Sequence, residues 1–179
     1  IAREKTGIAR KNKLLISGVV NPPETIASTA LEIGARLHQK GVDYTFDSNE
    51  HEWSWVGGGV QYEHLPIPTL PLQNAATVLA VLVYMGFAPS QEDLETLFST
   101  AELTGRFQKV ASSPDVYIDV AHNPEAALEL AQRIKHLPVK PIAVCGMLKD
   151  KDINSVMTYL ADSFSSWFCC DLPGPRGAK

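Results

Sequence analysis

YIDVAHNPEAALELAQRI, residues 117–134, begins as an apolar strand-like run and ends as a helical pattern, with Asp119, His122 and Asn123 at the change. Asn123 before Pro124 has the form of an N-cap and first helical residue, so a helix is expected over about 124–137. Asp119 interrupts the apolar run. A carboxylate withdrawn from water without a partner is costly, so loop amides, an arginine or a pair of ribose hydroxyls should face it. His122 reads either as a satisfied loop histidine or as a substrate contact. In parallel sheets, ligands gather beyond the carboxyl ends of the strands, which is where these three residues fall.

Strand and helix patterns continue on both sides of this stretch. GRFQKVAS and DVYIDVA precede the helix. PIAVCGML, a helix over about 153–164 and SWFCCDL follow it. Such alternation predicts an α/β fold of mostly parallel sheets with flanking helices. GMLKDKD, residues 146–152, ends one strand and opens the next helix; its alternating charges suit a solvated loop. Toward the N-terminus, KLLISGVV reads as a buried strand, Asn21-Pro22-Pro23 as a helix start, and ETIASTALEIGARLHQK as one amphipathic helix stopped by Gly41. A strand is expected over 43–46. HEWSWVGGGVQYEHLPIP reads as two strands around a turn at Gly57, Gly58 and Gly59, and no helix follows to make that turn a phosphate loop. LPLQNAATVLAVLVYMG and SQEDLETLFSTA read as a helical hairpin, the second helix capped by Ser90 with Asp93 at N3. Asn74, in the first turn of the first of these helices, serves capping or packing. IAREKTGIAR reads as a polar turn, and the stretch around Gly105 and Arg106 as a boundary between two domains. A guanidinium at such a boundary can reach phosphate oxygens bidentately.

The 179 residues are 45% apolar and 20% charged, a globular composition, and the formal charge of -4 gives no field for a polyanion. Nucleic acid is therefore an unlikely-looking partner on charge alone, and small substrates are expected instead. Cys145, Cys169 and Cys170 match neither a disulfide framework nor a metal pair, so reduced, mostly buried thiols and a cytoplasmic location are expected. The longest apolar run, residues 75–88, is too short to span a bilayer, and no signal peptide is visible. A first residue Ile1 and an end at LPGPRGAK, straight after a strand pattern, read as a segment of a longer protein.

Six motifs occur in a specific order: IAREKTGI, LPLQNAATVLA, LTGRFQKV, YIDVAHNPEAA, GMLKDKDI and LPGPRGA. Together they resemble the folylpolyglutamate synthase and dihydrofolate synthase family, related to the muramyl-peptide ligases. The resemblance implies a two-domain, ATP-dependent ligase of the cytoplasm, monomeric, with ATP and Mg2+ as cofactors and no membrane or nucleic-acid partner. Residues 1–104 would be the rear part of a P-loop ATPase domain, and 105–179 the front part of a Rossmann-like glutamate-ligase domain. In such a ligase a carboxylate on dihydropteroate or folate is phosphorylated and L-glutamate attacks the acyl phosphate.

By the same resemblance, Asn74, Arg106 and Asp119 contact ATP, and Lys5 matches a lysine carried as N6-carboxylysine near the magnesium site. His122 falls on the glutamate or catalytic side. Lys149 holds the glutamate carboxylate, with Lys151 competing for that role. The P-loop and the magnesium ligands would lie upstream of Ile1, so no metal ligand is expected within these residues, and residues 1–179 alone are expected not to catalyse. A hinge near Gly105 would bring Arg106 and Asp119 onto ATP. The other readings are a related ligase for another amino acid, and a non-catalytic nucleotide- or folate-binding module.

Overall fold

The computed structural model describes residues 2–178, which group into two units, Ile1–Glu102 and Leu103–Lys179. In the first unit, α1 (Ala2–Lys5) runs into a single 3-10 turn at Thr6–Ile8, where a polar turn was expected. Thr6 explains the difference: it is buried, and its hydroxyl donates to the Arg3 carbonyl at 3.0 Å, closing the turn. β1 (Leu14–Ser17) and β2 (Arg36–Gln39) pair in parallel across α2 (Glu24–Ile33).

The helix expected to reach Lys40 therefore stops at Ile33. Gly34 takes the left-handed conformation (φ 74°), and the amides of Gly34 and Ala35 donate back to Leu31 and Ala30, closing the helix so that β2 can begin. Ala9, Leu15 and Ala30 form a small core here, with Ile26, Ile33 and Leu37 against it.

β3 (Tyr44–Ser48), β4 (Glu52–Gly57) and β5 (Val60–Pro66) make an antiparallel meander. Gly58 and Gly59 both have positive φ (57° and 79°) between the paired Gly57 and Val60, the geometry a tight two-residue hairpin requires. α3 (Leu72–Tyr84) and α4 (Gln91–Thr100) lie against it. Trp53, Trp55, Tyr62 and Leu65 of the meander pack with Ala75, Ala76, Leu79 and Ala80 of α3 and with Leu94 and Phe98 of α4. The alanines let the indoles approach closely enough for Trp55 Nε1 to donate to the Ala76 carbonyl at 3.1 Å. Burying each large side chain contributes roughly 1.5–3 kcal/mol.

In the second unit, β6 (Gln108–Ala111) and β7 (Val116–Ile118) form an antiparallel hairpin followed by α5 (Pro124–Ile134). β8 (Ile142–Cys145) pairs in parallel with β9 (Ser166–Cys169) across α6 (Ile153–Leu160). Ala127 and Ala131 of α5 pack with Val156 and Leu160 of α6 and with Met147.

The α/β class is the one expected, and its sheets are mixed: parallel where a helix crosses over, antiparallel where a turn connects the strands. β7 is accordingly half-exposed rather than a buried parallel strand, with Val116 and Ile118 41% and 40% accessible. Cys169 and Cys170 are exposed where burial was expected, because β9 ends at Cys169 and turns outward; Cys145 is half-buried, and burial raises its thiol pKa. Among the described residues no helix is long and apolar enough to cross a membrane.

Candidate functional site

Asp119 leaves β7 and organises what surrounds it. Its Oδ2 accepts from the Phe107 amide and its Oδ1 from the Ala121 amide, both at 2.7 Å. One carboxylate thus ties the turn entering β6 to the loop entering α5. The turn needs that restraint: Gly105 (φ 72°) and Phe107 (φ 48°) are both left-handed, and Phe107 bears a Cβ that disfavours the conformation. Two further bonds hold it, from Val120 N to the Gly105 carbonyl at 2.9 Å and from Gly105 N to Gln108 Oε1 at 3.1 Å. Phe107 stacks on Tyr117 with ring centroids 4.9 Å apart, and the Arg133 guanidinium lies 6.0 Å from the Phe107 ring.

Arg106 stands between the two left-handed residues. It is half-exposed, and among the described residues its guanidinium has no hydrogen-bond or ion-pair partner. His122 Nδ1 lies 2.9 Å from the Val120 carbonyl. A carbonyl only accepts, so the proton sits on Nδ1 and Nε2 presents its lone pair. Asn123 caps α5, its Oδ1 accepting from Ala126 N at 2.9 Å. The three polar groups at the strand-to-helix change therefore divide the work: Asp119 clamps, His122 is oriented by backbone, and Asn123 caps. Arg106, Asp119 and His122 are gathered in one turn-and-loop cluster. Chemically it offers an unpaired cation, a carboxylate with two of about four acceptor sites still open, and an imidazole acceptor.

Lys149 belongs to another loop, after β8. Its side chain is exposed and without a partner among the described residues, and its amide donates to the Arg176 carbonyl at 2.9 Å. Lys151, its competitor, already sits 3.6 Å from Asp150.

In the first unit, Asn74 is exposed in the first turn of α3. It is not the cap, a position Pro71 occupies. Lys5 ends α1 with a side chain 76% exposed and its amine 3.8 Å from Glu4. Among the described residues no group of histidine, cysteine, aspartate and glutamate side chains is arranged to hold a metal ion. Sequence reasoning missed Phe107 and the Asp150–Arg176 pair. A left-handed aromatic leaves no pattern in a sequence, and the pair spans 26 positions.

Residues 105–179 match the domain family described as Mur ligase, glutamate ligase domain. A dihydrofolate synthase/folylpolyglutamate synthase of Escherichia coli (strain K12) is 43% identical over 180 residues, which cover 99% of this chain and 43% of that protein. Among solved structures, E. coli FolC in complex with DHPP and ADP superposes with a TM-score of 0.90 at 43% identity, over 99% of this chain and 43% of that one. A bifunctional folylpolyglutamate synthase/dihydrofolate synthase with Mn, AMPPNP and L-glutamate bound does so with a TM-score of 0.88 at 40% identity, over 99% and 43%. The chain spans less than half the length of these curated relatives.

Proposed function

Since the chain belongs to the dihydrofolate synthase/folylpolyglutamate synthase family, we propose that the whole protein is an ATP-dependent ligase joining L-glutamate to dihydropteroate or folate through an acyl phosphate. The observation that carries the reading is the unpaired Arg106 guanidinium, held in a left-handed turn by both oxygens of Asp119 within the stretch that matches a glutamate ligase domain.

Arg106 serves the phosphoryl group. A guanidinium already fixed in direction and lacking a protein anion spends nothing on breaking an ion pair when charge develops on transferring oxygens. Asp119 takes the nucleotide sugar with its open acceptor sites, and Asn74 bonds polar atoms of the nucleotide. On the glutamate side, His122 Nε2 is an acceptor near the amine, and Lys149 a cation for a carboxylate. Lys5 is the modifiable lysine. Its exposure leaves the amine accessible to CO2, though the carbamate would need a cation to stabilise it.

The chain's own residues offer no cage for Mg2+, so none of these roles runs through the ion. The proposed domain assignment is 1–104 for the ATPase side and 105–179 for the glutamate side.

The test is glutamate incorporation by the whole protein, with dihydropteroate and folate offered separately and ATP hydrolysis followed in parallel. ATP-dependent amide formation on either acceptor is the expected result. Formation with another amino acid, or nucleotide binding without ligation, would replace this reading with one of the alternatives.

A further inference from the structure

Two loops at the carboxyl end of the β8–β9 pair are stitched together. Ala178 N donates to the Met147 carbonyl at 2.9 Å, Lys149 N donates to the Arg176 carbonyl at 2.9 Å, and Leu148 and Gly177 form an antiparallel bridge. The crossing is tight enough that a Cβ on Gly177 would come within 1.9 Å of the Leu172 carbonyl oxygen. Arg176 completes the stitch as a fork, Nε donating to Asp150 Oδ1 at 2.9 Å and Nη2 to Oδ2 at 2.8 Å.

Both partners are largely exposed, and surface ion pairs add little to stability. What a bidentate fork supplies is orientation. It acts on a loop pinned at its other end by Asp152, whose Oδ1 caps α6 through Ser155 N at 3.1 Å, and at its start by the buried Met147. Asp150 also sits near Lys151 Nζ, so Lys149 is the cation of the loop left pointing to solvent without a partner among the described residues. The Arg176 guanidinium holds the Asp150 carboxyl down at about 2, so the pair is charged throughout the physiological range.

We propose that Asp150 and Arg176 are positioning residues that latch the 146–152 loop to the 171–178 segment and so set Lys149 for the carboxylate of the incoming amino acid. The latch rests on the reading of Lys149 as the glutamate contact.

In the whole protein, Asp150→Asn and Arg176→Gln should each raise KM for L-glutamate about tenfold, while KM for ATP stays within twofold. The charge-exchanged double variant Asp150→Arg/Arg176→Asp should recover part of the loss. Lys149→Ala separates the two ideas. If it raises KM for glutamate while both latch variants leave it unchanged, the latch is wrong. If Lys149→Ala itself leaves KM for glutamate unchanged, the reading of Lys149 fails and takes the positioning role with it. Amide hydrogen exchange at Lys149 in residues 1–179 gives a readout independent of turnover: it should quicken in either single variant, and equal protection in all forms overturns the latch.

Discussion

Asp119→Ala removes the acceptor of two backbone N–H groups at once, Phe107 and Ala121, and releases a turn that contains a left-handed aromatic. Losing hydrogen bonds to a charged acceptor in this half-buried place should cost roughly 1–3 kcal/mol, read as a lower urea midpoint of the second unit. Arg106→Ala should instead leave that midpoint alone, because its guanidinium supports no bond, and lower turnover of the whole protein by about 10²-fold or more, the scale of one lost transition-state donor. Unchanged turnover would remove Arg106 from the mechanism. Asp150 gives a third prediction at this scale. Its folded pKa, about 2, lies below the ordinary 3.8, so the pairing contribution is fully present above the ordinary value and is lost as pH falls through about 2. A carboxyl-carbon NMR titration should place the Asp150 midpoint near 2, and Arg176→Gln should return it toward 3.8.

Elements were legible where their ends carried chemistry. Ser90 and Asp93 form a complete capping box, with Ser90 Oγ accepting from Asp93 N at 3.1 Å, and Asn123 and Pro124 open α5 as their types require. Ser90→Ala should lower stability by about 1 kcal/mol in thermal unfolding of the first unit. Asp93 bonds the Ser90 hydroxyl, which depresses its carboxyl pKa. Its contribution is therefore present above the ordinary carboxylate value and fades as pH falls below it. β2 was not legible. The helical period of ETIASTALEI runs on into ARLHQK, and only the left-handed Gly34 separates helix from strand. The hairpin of β6 and β7 was seen as two strands but in the wrong kind of sheet, since strand patterns do not declare their partners. At the site, Asp119 and Asn123 were readable as polar interruptions of apolar or helical patterns. Phe107 and Arg176 act through backbone conformation and a contact distant in sequence, and neither leaves a local mark.

Across the whole molecule, each unit has a core built from its own elements. Leu79 is fully buried in the first and Val156 in the second. Leu79→Ala should cost about 2–5 kcal/mol in the unfolding of the first unit, with the indole emission of Trp53 and Trp55 as its signal. The polar cluster of Asp119 lies at the beginning of the second unit, within the matched ligase domain, and the family relationship extends over nearly the entire chain. One arrangement in that cluster bears on which nucleotides the protein can use. Each oxygen of Asp119 is already committed to one backbone amide, so each keeps a single direction open. A vicinal diol, with two donors side by side, fills both; a deoxyribose fills one and strands the other. If Asp119 takes the sugar as proposed, 2′-deoxy-ATP should be a poorer phosphate donor than ATP, and Asp119→Asn should narrow that preference between the two sugars.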